Sequence, residues 1–325
     1  MIEARHLRVL RAVSQSGSFS AAARELGCTQ PAVSQQMRAL EQSVGTPVLV
    51  RTGREMRLTE AGEALARHAA GILGGLVAAE EEVAAIAGLR AGRVRLVSFP
   101  SGSSTLVPAA VAALRAGHPG TRVSLVEAEP PRSVDMLRAG EADVALAFRY
   151  PTEGERAGGD PAGGEWRDLE VRPLLTDRLV GLVPRGHRLA ETGASGEPGG
   201  EPGVEVGIKE LADEPWIAGC PRCRRHLVEV CEAAGFTPRI DFATDDYPAV
   251  VGLVGAGLGV AVLPGLALES VRPKGASIVR VVPEVRREVV ALTLPDLVRV
   301  PAVALMLRHL AEAAAAPRPR PTAGA

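Results

Sequence analysis

Apolar residues recur at helical spacing from Leu7 to Val44, and glycines at positions 17 and 27 interrupt the pattern. The second glycine closes the run Ala23-Arg-Glu-Leu-Gly27, and Val33 follows six residues later. A small residue, a turn glycine and a β-branched core residue at those offsets allow two helices to cross closely. We therefore expect a helix-turn-helix in this segment, with a plain three-helix bundle as the alternative.

The second helix of this pair is expected to run from about Gln30 to Ser43. Thr29 is a good N-cap for it, and Pro31 is tolerated in its first turn. Gln and Arg side chains carry forked polar ends that match the edges of adenine and guanine in the major groove. The face expected to be buried holds Ala32, Val33, Met37 and Leu40, and the outer face collects Gln30, Ser34, Gln35 and Arg38.

Residues 47–58 read Pro-Val-Leu-Val-Arg-Thr-Gly-Arg-Glu-Met-Arg-Leu. The pattern predicts two short strands about a Thr-Gly turn. A hairpin in this position is a β-wing, whose arginines can reach DNA phosphates or the minor groove.

One long helix is predicted from Thr59 to about Leu89. Small or apolar residues fill its a and d positions over three heptads, which is the pattern of a coiled-coil contact. One set of these positions holds Leu65, Ile72, Ala79 and Ile86, and the other holds Ala69, Leu76 and Val83. The alternative is an amphipathic helix packed on its own domain. Because the wing and the rest of the chain flank this helix, we expect it to mediate dimerisation.

After Gly92 the pattern changes to alternating strands and helices, which predicts an α/β domain with a parallel sheet. The first part is a βαβαβ run: strand 94–99, a Ser/Gly loop at 101–105, a helix to 116, strand 123–127, helix 133–139 and strand 142–148. Further strands are expected near 169–175, 178–183, 215–218, 239–243, 259–263, 277–282 and 287–294, and helices near 222–234, 246–255 and 298–315. Residues 151–166 are expected to form a loop, and 191–205 a flexible insertion.

Composition and charge narrow the class of protein. The chain has 325 residues, 46% of them hydrophobic and 3% aromatic, which suits two or three compact units with cores of Ala, Val and Leu. The net charge of −1 conceals an asymmetry. Residues 1–58 hold eight arginines and four glutamates and so carry +4, which leaves −5 for the remainder. This pattern is typical of a small basic head on an acidic body.

The sequence predicts neither secretion nor a membrane span. Its N-terminus carries charges where a signal peptide needs an apolar core. The uncharged stretch Pro248–Leu268 is long enough to cross a bilayer, but its five glycines and two prolines favour a helix, a turn and a buried strand. Four cysteines are too few for a disulfide scaffold, so we expect the reducing cytoplasm.

These motifs together resemble the LysR-type transcriptional regulators, over essentially the whole chain. The similar segment of the body is Val254-Gly-Ala-Gly-Leu-Gly-Val-Ala-Val-Leu-Pro264. Those of the head are Leu7-Arg-Val-Leu-Arg-Ala-Val, Gly17-Ser-Phe-Ser-Ala-Ala-Ala-Arg-Glu-Leu-Gly27, Thr29-Gln-Pro-Ala-Val-Ser-Gln-Gln-Met-Arg-Ala-Leu-Glu41, Arg51-Thr-Gly-Arg54 and Leu58-Thr-Glu-Ala-Gly62. The combination is far more specific than a helix-turn-helix alone.

The resemblance implies an α/β protein with a winged helix-turn-helix at 1–58 and a linker and dimerisation helix at 59–89. A two-lobed, periplasmic-binding-protein-like effector domain would follow at 93–313, and a disordered tail at 316–325. Lobe 1 would comprise about 93–166 and 267–313, and lobe 2 about 167–266. The implied partners are double-stranded DNA with an interrupted palindromic operator, a small and anionic effector, and a second copy of the chain in a homodimer or homotetramer. RNA polymerase is a further partner, and no cofactor, metal or membrane is expected.

Carried over onto matching positions, the resemblance places DNA contacts on Thr29, Gln30, Pro31, Ser34, Gln35, Arg38, Arg51 and Arg54. The effector would bind between the lobes. A helix N-terminus rich in hydroxyls suits a carboxylate or phosphate, because its N–H groups are free, and the residues in question are Ser101, Gly102, Ser103, Ser104 and Thr105. Phe148, Cys220 and Thr244 are expected to complete the pocket.

Cysteines concentrate in Cys220-Pro-Arg-Cys223-Arg-Arg-His226 and in Cys231. Peroxide-sensing LysR proteins resemble this by carrying a reactive pair in the corresponding segment, and a helix N-terminus beside arginines lowers a thiol pKa. Cys223 and Cys231 would lie about 12 Å apart along a helix, whereas a disulfide needs Cα atoms within about 7 Å, so Cys220–Cys223 is the easier bridge. A structural or pocket role is the first interpretation, a redox role for Cys220, Cys223 and Cys231 the second, and a zinc site that includes His226 the third. Cys28 is expected to be buried.

An enzyme or a stand-alone solute-binding protein is the competing class. The sequence has no G-x-S-x-G elbow, Walker loop or H-E-x-x-H motif, and residues 255–259 lack the G-x-G-x-x-G spacing. A solute-binding protein would need export and would have no basic head. The sequence therefore predicts a regulator and not an enzyme.

Overall fold

In the computed structural model of the chain, residues 1–53, 55–86, 92–151, 165–191 and 204–317 are described. Three expected segments therefore lie mostly outside the described residues: the loop at 151–166, the insertion at 191–205 and the tail at 316–325.

The head consists of α1 (Ala4–Ser16), α2 (Phe19–Glu25), α3 (Gln30–Val44), β1 (Leu49–Thr52) and β2 (Glu55–Leu58). Gly27 forms the turn between α2 and α3 with a φ of 63°, a conformation that side-chain-bearing residues resist. The three helices and the hairpin share one core, in which Leu10, Val13, Val33 and Leu40 are fully buried. The predicted helix-turn-helix with its wing is confirmed.

Helix α4 (Glu60–Ile86) is the long helix that the heptad pattern predicts. At its start it packs on the head, where Ala69 and Leu73 cluster with Leu7. Farther along, the apolar seam is exposed: Ile72, Leu76 and Val83 are 47%, 37% and 64% exposed. The start of the helix thus packs as the alternative interpretation expects, and the coiled-coil contact stays a prediction for the exposed part. The side chain of Ile86 lies outside the described residues.

The body is built on a sheet of ten strands within the described part of the chain. They are β3 (Arg93–Ser98), β4 (Arg122–Glu127), β5 (Val144–Arg149), β6 (Glu170–Pro184), β7 (Glu205–Gly207), β8 (Pro215–Ala218), β9 (Arg239–Ala243), β10 (Val260–Pro264), β11 (Ala276–Val282) and β12 (Arg286–Thr293). The helices are α5 (Pro100–Gly117), α6 (Arg132–Arg138), α7 (Arg188–Glu191), α8 (Pro221–Ala233), α9 (Tyr247–Gly255) and α10 (Pro301–Ala315). Short 3₁₀ turns lie at Ile208–Leu211, Gly265–Glu269 and Pro295–Arg299.

Strand pairing divides the sheet into two lobes, in the order β4-β3-β5-β12-β6-β10-β8-β9. In lobe 1, β3 pairs in parallel with β4 and β5, which confirms the βαβαβ run. Strand β6 belongs to both lobes, because residues 170–178 pair with β12 and residues 179–184 pair with β10 and β11. Strand β11 also pairs with β7, so it belongs to lobe 2. This pairing corrects the expected assignment of the whole segment 267–313 to lobe 1.

Three further expectations differ from the structure. Residues 101–105 are helical rather than a loop, because α5 already begins at Pro100, a residue that suits the first turn of a helix. The strands expected at 169–175 and 178–183 are the single strand β6, whose pairing with β12 continues through the gap between them. Cys28 is exposed, because it precedes the cap of α3 on the outside of the turn. None of the described helices is both long and apolar enough to span a membrane.

Candidate functional site

Helix α3 has one apolar and one polar face. Thr29 caps its N-terminus, where the Thr29 Oγ1 accepts a hydrogen bond from the backbone N–H of Ala32 at 3.4 Å. Val33, Met37 and Leu40 are buried in the head. Ser34 is half-buried, and the other residues expected to contact DNA from this helix and its cap are exposed: Thr29, Gln30, Pro31, Gln35 and Arg38.

The wing is anchored to α3 through its backbone. The N–H of Val48 donates a hydrogen bond to the carboxylate of Glu41 at 3.0 Å, just before β1 begins. Arg51 is exposed, and its Nε donates to the carbonyl of Gly53 at 3.2 Å. Arg54, the other wing residue expected to contact DNA, lies outside the described residues.

The centre of the lobe junction is Arg287 of β12, whose side chain is fully buried. Its Nε and Nη2 each lie 2.9 Å from Oδ2 of Asp177, and Nη2 also donates to the hydroxyl of Ser101 at 2.8 Å. Asp177 accepts a further hydrogen bond from the backbone N–H of Leu266 at 3.0 Å. Because Ser101 opens α5 of lobe 1 and Leu266 follows β10 of lobe 2, this network joins the two lobes.

Aromatic rings enclose the Arg287 guanidinium. Its Cζ lies 4.6 Å from the ring centre of Phe148 and 5.0 Å from that of Phe99, within the range of a cation–π contact. Burial disfavours the charged form, but the carboxylate of Asp177 and neighbouring groups outweigh burial and raise the pKa of Arg287. The lobe junction therefore holds a permanent buried cation.

Several buried polar side-chain atoms of lobe 1 lack hydrogen-bond partners. Among the described residues they include Nη1 of Arg287, Oε2 of Glu129 and Oγ of Ser103. An unsatisfied buried polar atom costs about 1–3 kcal/mol, and native proteins keep few of them. A polar molecule bound at the junction would satisfy these atoms.

The carboxyl group of Glu129 is close to neutral under physiological conditions. Burial raises the pKa of Glu129 to about 8, and the negative charge of Cys223 acts in the same direction. A protonated carboxyl group donates a hydrogen bond instead of repelling an anion. The unsatisfied groups are thus mainly donors, which complement the oxygen atoms of a carboxylate or phosphate.

Three residues expected to line the effector pocket belong instead to the core behind the junction. Ser101 is fully buried, and its hydroxyl is engaged by Arg287. Gly102 packs so closely that a Cβ atom would lie 2.7 Å from Oγ of Ser98. Phe148 is fully buried and meets Phe99 edge to face, with ring centres 5.1 Å apart. These residues support the junction and do not form its surface.

The remaining hydroxyl groups at the start of α5 have different partners. Thr105 donates to the carbonyl of Ser101 at 2.5 Å. Ser104 is exposed, and Ser270 donates to it at 3.0 Å, which links α5 to lobe 2. Ser103 is half-buried, with a hydroxyl that has no partner among the described residues. Ser103 is therefore the member of this run best placed to contact a ligand.

Cys220 and Cys223 lie at the N-terminus of α8, against the core of lobe 1. Both are free thiols, and their Sγ atoms are 2.9 Å apart. A hydrogen bond from Cys220 lowers the pKa of Cys223 against the effect of burial. The Arg287 cation, a hydrogen bond with Tyr150 and the Arg222 cation act in the same direction as Cys220. The contact between the two thiols raises the pKa of Cys220. Cys223 is therefore the more acidic thiol of the pair.

Cys231 lies apart from this pair. It is fully buried in the core of lobe 2 near Trp216, and burial raises its pKa to about 12. Because α8 is continuous from Pro221 to Ala233, Cys223 and Cys231 stay separated, as helical geometry requires. Within the described ranges, no three His, Cys, Asp or Glu side chains are gathered so that they could hold a metal ion, which argues against the zinc alternative.

Cys220 and Thr244, two of the expected pocket residues, line a surface groove of about 780 Å³ on lobe 2. The N–H of Thr244 donates to the carbonyl of Ala218 at 3.0 Å, which fixes the end of β9 beside β8. The groove runs along α8, and its charged lining residues are Arg224, Arg225, Glu229, Glu232 and Asp245. The expected effector residues are thus divided between this groove and the lobe junction.

Sequence reasoning missed several residues of the lobe junction: Arg287, Asp177, Glu129, Tyr150, and Tyr247, whose hydroxyl donates to that of Ser101 at 3.5 Å. One signal is available at the start of β12, where Val285, just before the strand, and Arg287 and Val289 within it alternate as buried positions. A charge at an inward position needs a buried partner. Nothing near Arg287 in the sequence identifies that partner, because Asp177 is 110 residues away.

Comparison with known proteins gives matches over nearly the whole chain. Residues 4–63 match the bacterial regulatory helix-turn-helix proteins of the lysR family, and residues 87–315 match the LysR substrate binding domain. The HTH-type transcriptional regulator AlsR of Bacillus subtilis (strain 168) is 28% identical over 270 residues, covering 82% of each chain. The HTH-type transcriptional regulator ShiR of Corynebacterium glutamicum (strain R) is 32% identical over 267 residues, covering 80% of this chain and 82% of ShiR.

Solved structures share the fold. ArgP from Mycobacterium tuberculosis superposes with a TM-score of 0.67 at 23% identity, covering 97% of this chain and 98% of ArgP. Full-length CbnR complexed with its target DNA superposes with a TM-score of 0.51 at 23% identity, covering 96% of this chain and all of CbnR (100%). The winged head, the two-lobed body and the two family matches all indicate the same family. The chain belongs to the LysR family of transcriptional regulators, which bind DNA under the control of a small-molecule effector and are not enzymes.

Proposed function

We propose that α3 reads the operator in the major groove through Gln30, Ser34 and Gln35, with Thr29 and Pro31 close to the sugar–phosphate backbone. Arg38 of α3, with Arg51 and Arg54 of the wing, would neutralise phosphates. The exposure of this face carries the proposal, because the opposite face of α3 is committed to the core of the head. The charge of +4 on residues 1–58 favours DNA over other partners.

The test is selection of duplexes from a random DNA pool by the full-length chain. The wild type should enrich an interrupted palindrome, and Gln35→Ala should relax base preference within each half-site. Gln42→Ala is the matched control, since Gln42 is an exposed glutamine near the other end of the same helix. Equal base preference in the two variants would contradict the proposed orientation of α3.

Assembly into a homodimer, or a homotetramer made of such dimers, would follow from α4. Its exposed seam beyond the head consists of Ile72, Leu76, Ala79 and Val83, and a second copy would cover it. Two heads related by a two-fold axis would then bind the two half-sites of the operator. The cytoplasm, where such an operator lies, is the expected compartment, and RNA polymerase bound beside it is the further partner.

The effector is proposed to be a small anion bound at the lobe junction. The observation that carries this proposal is the pair of unsatisfied donors at Arg287 and Ser103 within the described part of the chain, together with Glu129, whose pKa is raised by burial. Cys220 and Thr244 would border the site on lobe 2. Since the network of Arg287 links both lobes, a ligand bound at the junction would favour one arrangement of the lobes over another. The size of this shift is limited by the difference between the ligand's affinities for the two arrangements.

A thermal-shift panel of small carboxylates, phosphate esters, amines and sugars tests this assignment. Carboxylates or phosphates should raise the melting temperature of the full-length chain, and Ser103→Ala should reduce the shift. Ser124→Ala, an exposed serine on β4, is the matched control. Stabilisation by amines or sugars alone would refute an anionic effector.

A redox response is the second candidate, favoured by the 2.9 Å contact between the Cys220 and Cys223 sulfurs. The Cys223 thiolate would attack a hydroperoxide to give a sulfenic acid and release hydroxide or alkoxide. The Cys220 thiol would then displace water to form a disulfide. Peroxide should therefore consume two thiols per chain, and either Cys220→Ser or Cys223→Ser should abolish disulfide formation, whereas Cys28→Ser should not. Unchanged thiol counts after peroxide treatment would eliminate this candidate.

A further inference from the structure

The DNA-binding head contacts lobe 1 directly, through α1 and the turn that follows α6. The guanidinium of Arg11 donates a hydrogen bond to the carbonyl of Ala139, and the side-chain amide of Gln15 donates to the carboxylate of Glu141. Arg11 and Gln15 lie one turn apart on α1, so the two contacts form a pair. Neither contact belongs to the DNA-binding face or to the exposed seam of α4.

The lobe 1 side of this contact is a rigid acceptor. Ala139 is the C-cap of α6, where the last carbonyls carry the negative end of the helix dipole and favour a cation. The next carbonyl, that of Gly140, accepts from Arg95 at 2.7 Å. Arg95 is fixed in turn by the buried carboxylate of Asp143, with a closest contact of 2.5 Å. The turn is therefore held by the sheet, independently of the head.

Gly140 lets the head approach. Its φ of +67° is unfavourable for other residues, and a Cβ atom at this position would lie 3.2 Å from Nη1 of Arg11. Arg11 is itself half-buried, which means that the contact removes the guanidinium from water. The Arg11 half of the contact is therefore partly buried, whereas Gln15 is exposed.

The other end of the same segment reaches the lobe junction. Glu129 lies three residues before α6, and Ser133 lies in its first turn, fully buried. Their Oε2 and Oγ atoms have no hydrogen-bond partner within the described part of the chain. In between, Val134 and Leu137 lock α6 into the core of lobe 1. One short, rigid segment therefore runs from the proposed effector site to the head.

We propose that the contact of Arg11 and Gln15 with residues 139–141 is a clasp that sets the position of the head on lobe 1, and that α6 makes this position responsive to the lobe junction. In a dimer, two clasped heads have a fixed separation. The clasp would then determine which half-site spacing the protein accepts, and a shift of α6 would change that spacing. This inference rests on the proposed DNA-binding function for its consequence, but the clasp itself can be tested without DNA.

The first test is a cysteine pair in the full-length chain, Gln15→Cys with Glu141→Cys. Mild oxidation should produce a disulfide within one chain, identified by mass spectrometry of the linked peptides. Gln15→Cys with Glu127→Cys is the control, because Glu127 is exposed at the end of β4 and outside the clasp. Equal cross-linking of the two pairs would overturn the clasp. Adding Glu129→Ala should change the cross-linking rate, and an unchanged rate would remove the link to the junction.

The second test compares duplexes with the selected half-site spacing and with about five extra base pairs, half a helical turn. Glu141→Ala alters no residue of the head. It should reduce the discrimination between these duplexes, which is the ratio of their affinities, about fivefold, the lower end of the range typical of coupling between two sites. Asp135→Ala, an exposed carboxylate on α6 itself, should leave the discrimination unchanged. Equal discrimination in both variants would overturn the clasp. Failure of the wild type to bind any duplex would instead contradict the proposed DNA-binding function, while the cross-linking result would still decide the clasp.

Discussion

Removing the carboxylate of Asp177 should destabilise the effector domain far more than removing an exposed carboxylate with the same contact geometry. Asp177 lies 2.9 Å from a guanidinium that is fully buried, so Asp177→Ala leaves the Arg287 cation without its partner. Breaking a buried pair in this way costs about 3–5 kcal/mol. For a unit of 150–250 residues, each 1 kcal/mol lowers Tm by about 2–4 °C, which gives an expected loss of about 6–20 °C.

The control is Asp168→Ala, which breaks the Arg138–Asp168 pair. That contact is equally short, at 2.8 Å, but the two side chains are 36% and 51% exposed, so the expected cost is about 0–1 kcal/mol. Differential scanning calorimetry of the full-length variants measures both effects. The double variant Asp177→Leu with Arg287→Met should recover much of the loss, since no buried charge then remains unpaired. If Asp177→Ala melted within about 2 °C of Asp168→Ala, the buried network could not be what holds the lobes together.

Three further predictions concern the head, the linker and the junction. Arg38→Ala and Arg51→Ala should each weaken binding to selected and unrelated duplexes alike and make the affinity less dependent on salt concentration. Fluorescence anisotropy measures both effects, and a loss of affinity confined to the selected duplex would contradict a phosphate contact. The double variant Ile72→Asp with Leu76→Asp should sediment as a monomer, because the two carboxylates would lie in the apolar seam. The control Arg67→Asp with Glu80→Lys changes exposed positions of the same helix and should leave the oligomeric state unchanged. Glu129 has a pKa raised from 4.5 to about 8, so the folded state holds its proton more tightly than the unfolded state. The free energy of unfolding should therefore fall as pH rises from about 4.5 to about 8, and Glu129→Gln should flatten this part of the plot of Tm against pH. Identical plots for the wild type and the variant would contradict the raised pKa of Glu129.

The head could be predicted from the sequence because its signals are local. The turn at Gly27, the cap at Thr29 and the apolar positions Val33, Met37 and Leu40 all lie within 14 residues of one another. Each element there is specified by its own periodicity and its own end signals. The βαβαβ run was predictable for the same reason, since alternation of short apolar strands with helices implies parallel pairing.

The lobe junction could not be predicted in this way, because it depends on pairs that are distant in sequence. Arg287 meets Asp177 across 110 residues and Ser101 across 186. The hydroxyls of residues 101–105 form one group in the sequence, but the fold treats them differently. Ser101 is engaged by Arg287, Ser104 by Ser270 and Thr105 by a backbone carbonyl, and only Ser103 is unsatisfied among the described residues. The placement of β11 was missed because nothing local indicates that a strand after lobe 2 pairs with the far half of β6.

Control of the DNA-binding head from the lobe junction can be measured by a DNase I footprint of the full-length chain on its selected operator. The footprint is recorded with and without the acid that stabilises the chain most. We expect the acid to change the protected boundary or its hypersensitive positions, because a ligand at the lobe junction would reposition the two heads. Ser103→Ala should bind the operator with the acid-free footprint under both conditions. An identical wild-type footprint with and without the acid, at concentrations that saturate the thermal shift, would contradict control of the DNA-binding head from the lobe junction.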